Sequence, residues 1–151
     1  METRGGFYIT QIKQLQERIF ERLLLAAGLE LNGGQGRILF VLWKEEQLTI
    51  GEIGRETSLA KNTVSAVVDG MVRKGILERA INPENRRETI VSLTERARGM
   101  RGKYEEVSQR MNELFYQGFS GEERDAFESY LIRVRDTLVC EEEKIRAHTE
   151  H

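Results

Sequence analysis

LTIGEIGRETSLAKNTVSAVVDGMVRKGILERAINPENRRETIVSLT, from Leu48 to Thr94, decides how the rest of the chain is read. Thr49-Ile50-Gly51-Glu52 has the form of a capping box, in which the threonine hydroxyl takes an orphan backbone N–H and the glutamate reaches back. The helix it opens breaks around Thr57-Ser58-Leu59, and a second starts near Ala60. In that second helix Val64, Val67, Val68, Met71 and Val72 form an apolar stripe. Lys61, Asn62, Thr63, Ser65, Ala66, Asp69 and Arg73 fall on the other side, which is short, polar and lightly charged. Gly75 follows as a C-terminal cap. Two short helices, a tight turn between them and a polar face on the second describe a helix-turn-helix.

The hairpin that follows has its own logic. Ile76 to Ile81 and Glu88 to Leu93 read as strands around a loop that holds the chain's single proline, Pro83, and the pair Arg86 and Arg87. Pro83 favours a turn and pushes Asn82 into an extended conformation. The expectation is a wing whose arginines, carried at the tip, meet the phosphate backbone or the adjoining minor groove, where negative potential is concentrated. Local charge agrees. Between Ala60 and Ile90 six basic residues face four acidic ones, whereas Gly121 to His151 holds five basic against nine acidic.

Outward from this middle the chain reads as helix. From about Phe7 to Ala27, Tyr8, Ile12, Leu15, Ile19 and Leu23 recur at one helical face. Asn32 can cap a second helix to about Glu45. Thr94 can cap a long one to about Gly118, and Ser120 another to about Arg146. Met100, Tyr104, Val107, Met111 and Leu114 make one heptad-like seam, and Phe127, Leu131, Val134 and Leu138 a second. Either seam can be used within one subunit. Three long amphipathic helices nevertheless outrun the partner surface that so small a chain offers, so a homodimer is expected.

Composition sets the outer limits. The 151 residues, 39% hydrophobic and 32% charged with a net charge of −2, suit one mostly helical domain with a packed core. No apolar run approaches the roughly 20 residues that span a bilayer, and Glu2 and Arg4 do not lead into a signal-peptide core. A single cysteine excludes an internal disulfide framework. These features point to the cytoplasm and away from a membrane. The net charge gives no general sign of nucleic-acid binding, so that reading rests on local charge.

The stretch quoted above resembles the winged helix-turn-helix of the MarR family of transcriptional regulators. The family pattern has a leucine-threonine start and a recognition helix ending in Lys-Gly, here Lys74-Gly75. Its wing is Asp-x-Arg followed six residues later by Leu-Thr, here Asn85-Arg86-Arg87 and Leu93-Thr94. LNGGQGRILFVL, from Leu31, resembles the family's second helix, usually Leu-Thr-x-x-Gln.

The resemblance implies a mainly α (α+β) fold and a single domain over 1–151. Within it 32–93 forms the DNA-binding lobe, and 1–31 with 94–151 forms the helical dimerisation region. It also implies double-stranded DNA as partner, recognition helices in successive major grooves, and repression relieved by a small aromatic or phenolic effector. The recognition-helix contacts would be Lys61, Asn62, Thr63, Ser65, Ala66 and Asp69; the wing contacts, Asn85, Arg86 and Arg87. Arg18, Arg37 and Trp43 are candidates to line the effector pocket, although amphipathic packing explains them equally well.

Three departures qualify the match. Asn85 replaces the usual wing aspartate, so Asn85→Asp should tighten DNA binding if that carboxylate chiefly holds Arg87. Ala66 and Gly70 stand where many relatives carry basic residues. Ala60 lacks the capping oxygen normal at its position, worth about 1 kcal/mol, and leaves Ser58 to substitute.

Other chemistry finds little support. Asn32 to Gly36 has glycines but no preceding strand and no Gly-Lys-Ser/Thr, so it reads as a capped helix start rather than a phosphate loop. Cys140 reads as a packing residue late in the last helix. His148 and His151, with Glu141 to Glu143, read as a solvated tail rather than a metal site. No nucleophile-base pair suggests an enzyme, and no cofactor or metal is called for. The competing reading is a winged helix that uses its wing to contact another protein.

Overall fold

The computed structural model describes residues 2–149. In chain order they form α1 (Gly5–Ala26), α2 (Gly33–Glu45), β1 (Gln47–Thr49), α3 (Ile50–Thr57), α4 (Lys61–Arg73), β2 (Leu77–Asn82), β3 (Asn85–Leu93), α5 (Glu95–Phe115) and α6 (Gly121–Thr149). The chain divides into two compact units, Met1–Met111 and Asn112–His151.

The first unit starts its helices where the side chains dictate. Asn32 accepts from Gln35 N–H at 2.9 Å, and the Gln35 side chain accepts from Asn32 N–H at 3.1 Å. Thr49 and Glu52 form the expected reciprocal box, at 3.1 and 3.0 Å. The Thr49 N–H bond, then the Thr49 hydroxyl, hold the Glu52 carboxyl below its ordinary range. Thr94 Oγ accepts from Ala97 N–H at 3.3 Å, so the residue that closes β3 also opens α5.

One expected cap fails. Ser58 sits in the left-handed region with φ 61° at the end of α3, and α4 begins after Ala60 with no side-chain cap. Ser58 is occupied in turning the chain and does not substitute for the missing cap. The far end of α4 closes on Gly75, at φ +76°, with Ile76 N–H to the Met71 carbonyl at 2.9 Å and Gly75 N–H to Val72 at 3.0 Å. That paired return is the motif in which glycine avoids the Cβ penalty of positive φ.

The sheet has three antiparallel strands in the order β1-β3-β2. β1 was absent from the sequence reading. Its three residues pair as Gln47↔Ser92, Leu48↔Val91 and Thr49↔Ile90, and a segment that short shows no period of its own. The core lies between this sheet and the helices. Ile38, Leu39, Leu42, Ile53, Val64, Val68, Met71 and Val91 are essentially inaccessible, so the predicted stripe on α4 faces inward. Each such side chain contributes about 1.5–3 kcal/mol by leaving water.

The predicted seam on α5 turns out to be largely internal. Tyr104 and Val107 are buried in the core of the first unit, and Met100 packs against it. Tyr104 meets Phe20 edge-on at 5.5 Å and Trp43 at 4.9 Å between ring centroids. α1 behaves differently. Phe20, Leu23 and Leu24 join the core, but Tyr8, Ile12, Leu15 and Ile19 remain exposed.

In the second unit Ser120 and Glu123 form another capping box, at 3.1 and 2.9 Å, as the sequence suggested for Ser120. Phe115, Tyr116, Phe119 and Phe127 cluster around the turn, with ring centroids 4.9–6.2 Å apart. The Tyr116 hydroxyl donates to the Glu128 carboxylate. Burial, then that bond, pushes the Tyr116 phenol up to about 12. Among its described residues α6 buries none, and it exposes Tyr130, Val134, Leu138 and Ile145. Cys140 is exposed as well, so it does not pack within this chain.

Candidate nucleic-acid interface

α3 and α4 are joined by the turn at Ser58, and α4 buries Val64, Val68 and Met71 on one side. That burial leaves Lys61, Asn62, Thr63 and Ala66 exposed, with Ser65 and Asp69 half-buried beside them. Asp69 is not free. Arg79 on β2 donates to its carboxylate, an ion pair ten residues apart in sequence that neutralises the one acid on this face. The pair ties the helix to the base of the hairpin.

The hairpin turns at Pro83 and Glu84, tighter and earlier than the sequence suggested. Asn82 Oδ1 accepts from Glu84 N–H at 3.0 Å, an Asx turn that prepares the reversal. β3 therefore starts at Asn85, and Arg86 and Arg87 lie on the strand just beyond the turn rather than at its tip. The ladder runs regularly to Ile81↔Thr89, then jumps to Asn82↔Asn85. Arg86, Arg87 and Glu88 thus have no partners across the hairpin and stand out as a bulge. Both arginines are exposed, and among the described residues neither takes part in an ion pair. Two free guanidiniums on a protruding ribbon suit bidentate contact with phosphate or insertion into a narrow groove.

Between β1 and the turn of the hairpin lies a groove of about 380 Å³ lined by residues including Thr49, Glu52, Asn82, Glu84, Glu88 and Ile90. Its three carboxylates make it unfit for phosphate, so positive potential on the wing is confined to Arg86 and Arg87. Sequence reading counted Arg79 and Glu88 only in the local charge and missed what each pairs with. Each is an ordinary charged strand residue until its partner, Asp69 or Asn85, is brought beside it.

The residues considered for an effector occupy three different settings. Arg18 is exposed on α1. Arg37, half-buried on α2, donates to Glu17 of α1. Trp43 is buried, its indole N–H donating to the Ala97 carbonyl at 2.9 Å. Its neighbour Tyr104, which sequence reading placed only in a seam, has its phenol pushed up to about 12 by burial. Gly36 explains that close packing, since a Cβ there would lie 3.0 Å from the Tyr104 hydroxyl. Among the described residues no group of three or more His, Cys, Asp or Glu could hold a metal ion. His148 is exposed on α6, and His151 lies outside the described residues. Among the described residues no helix is long and apolar enough to cross a membrane.

With this geometry in place, the comparisons with known proteins agree. The MarR family model matches residues 31–89, from the start of α2 through the wing. Over these residues the chain carries a MarR-family winged helix-turn-helix. The transcriptional regulator TtmR of Methylorubrum extorquens is 31% identical over 114 residues, 76% of this chain. That match spans 57% of TtmR's own length. Among solved structures, a mutant MarR from E. coli complexed with operator DNA superposes with a TM-score of 0.77 at 22% identity, covering 85% of this chain and 91% of that one. BpsR of Bordetella bronchiseptica, whose DNA binding is regulated by 6-hydroxynicotinic acid, gives 0.80 at 20% identity, covering 88% and 94%. Both structural likenesses concern the fold, which is the winged helix-turn-helix. The family relatives are transcriptional regulators, not enzymes.

Proposed function

We propose that this MarR-family chain is a sequence-specific DNA-binding transcriptional regulator, a homodimeric repressor that a small ligand releases from a pseudo-palindromic operator. The observation that carries the reading is the wing. It presents Arg86 and Arg87 unpaired on a bulged strand, beside a helix whose outer face is polar and whose only acid is already neutralised by Arg79. Lys61, Asn62, Thr63, Ser65, Ala66 and Asp69 are assigned to the major groove, and Asn85, Arg86 and Arg87 to the wing contact. The 32–93 lobe reads DNA and the helices outside it join the two copies, in the cytoplasm.

The dimer is supported by helices that keep apolar stripes in water. Tyr8, Ile12, Leu15 and Ile19 on α1, and Val134, Leu138 and Ile145 on α6, are each 40% or more exposed. A second copy of the chain is the covering that symmetry favours. Two recognition helices then address half-sites about one helical turn apart. Footprinting on genomic fragments is the direct test. Protection of two symmetric half-sites is expected, and a single asymmetric half-site or no protection overturns the reading.

The wing gives a sharper test. Arg87→Ala is expected to weaken operator binding by about 1–3 kcal/mol per site engaged, the range for a well-placed specific contact. Arg86→Ala should weaken binding to all sequences alike and flatten the salt dependence by about one charge per subunit. Neither should change the melting temperature much, because both side chains are exposed. Wild-type affinity in both variants, measured by salt-dependent mobility shift, would move the hairpin to a protein-contact role.

For the effector we propose a small aromatic or phenolic acid. Its carboxylate would compete with Glu17 for Arg37, whereas Trp43, buried and already donating to Ala97, could join only by giving up core contacts. The regulation of BpsR's DNA binding by an aromatic acid supports the ligand class. A screen of dimer stability against such acids tests it, and an Arg37→Ala variant that responds like wild type would rule out this location.

A further inference from the structure

The bulge that carries the wing arginines is held by one side chain. From Ile81↔Thr89 to Asn82↔Asn85 the ladder advances one residue on β2 and four on β3. Three residues of backbone therefore lack cross-strand partners. Asn85 Oδ1 accepts from Arg87 N–H at 3.2 Å, while Asn85 Nδ2 donates to Glu88 Oε1 at 2.9 Å. Two of the three unpaired residues are thus tied to the residue that starts the bulge.

We propose that Asn85 is the positioning residue of the wing, and that it must be an amide. Its two ends do opposite jobs, one accepting from a backbone donor and one donating to a carboxylate. The partners fix its orientation, because the reversed amide would set donor against donor and acceptor against acceptor. An aspartate has acceptors only. It would keep the Arg87 N–H bond but place a second carboxylate oxygen 2.9 Å from Glu88 Oε1. Two carboxylates at such a distance cannot both stay ionised without cost. The sequence comparison made aspartate the residue that should tighten DNA binding. This geometry reverses the sign: aspartate pushes Glu88 away and loosens the segment bearing Arg86 and Arg87. The inference rests on the wing being a DNA contact, so its test has a readout that needs no DNA.

Four proteins decide it: wild type, Asn85→Asp, Glu88→Gln and the double variant. In Asn85→Asp the Arg87 amide, followed by NMR hydrogen exchange, is expected to exchange about two- to fivefold faster, the scale of an exposed polar interaction. Binding to sheared genomic duplex DNA should weaken about tenfold, since a dimer carries two wings. Glu88→Gln alone preserves an acceptor for Asn85 and should leave Arg87 exchange near wild type. In the double variant the introduced glutamine amide can donate to the introduced aspartate, so exchange and DNA binding should both return to within about twofold of wild type. Net charge alone predicts that the two substitutions act additively on binding and that the added carboxylate slows Arg87 exchange by repelling hydroxide, and that result overturns the proposal. If exchange responds as expected while DNA binding does not, Asn85 orders the hairpin but positions nothing for DNA. The wing contact itself would then be lost from the reading.

Discussion

Val134→Glu combined with Leu138→Glu is expected to convert the proposed dimer into a folded monomer at micromolar concentration. The two side chains are 47% and 62% exposed on α6, so on a monomer the changes should cost little. In a twofold interface each substitution occurs twice. A desolvated charge with no partner costs about 3–5 kcal/mol, so four of them exceed the roughly 8–12 kcal/mol of a micromolar to nanomolar dimer. Light scattering gives the mass, and circular dichroism shows whether helix content survives. Unchanged mass would mean that the α6 stripe is covered by something other than a second copy. Ile12→Glu with Leu15→Glu, tested separately, asks the same of α1, where both are at least 40% exposed.

The largest effect on folding should come from Trp43→Ala, at about 3–5 kcal/mol in chemical denaturation at fixed protein concentration. Trp43 is 5% exposed, packs on Tyr104 at 4.9 Å and donates to the Ala97 carbonyl at 2.9 Å. The substitution opens a cavity against α5 and removes a hydrogen bond worth about 1 kcal/mol. Trp43→Phe keeps most of the ring and loses the N–H, so it should cost markedly less. Equal costs for the two would show that the indole N–H matters more than the packing. A cost below about 1 kcal/mol for alanine would contradict the buried position itself. Trp43 was a candidate effector contact in the sequence. Its buried, satisfied state means that a ligand there must displace core contacts or use the ring edge.

Much of the fold was legible because its signals are local. Capping boxes need residues three apart, so Thr49 with Glu52 announced α3, and Ser120 announced the start of α6. The stripe of Val64, Val68 and Met71 needs only the helical repeat, and it does face the core. Gly75 marked the end of α4 because a left-handed residue there favours glycine. Two strand-like runs around Pro83 announced the wing, and the family pattern then matched Arg87 to the family's wing arginine.

What the sequence left open depends on elements meeting from far apart. An amphipathic repeat states that a face will be buried but not by what. The matching seams on α5 and α6 therefore looked alike, and only the folded chain shows Tyr104 and Val107 inside its own core while Val134 and Leu138 stay in water. β1 exists because β3 offers an edge to Gln47–Thr49, which its own three residues could not signal. Asp69 became a neutralised acid only when β2 brought Arg79 beside it. Asn85 read as a weakened aspartate until the bulge set Glu88 against its amide. Periodicity, caps and turns are properties of neighbours along the chain. The partner of a charge or of an apolar face is set by which distant segments the core brings together.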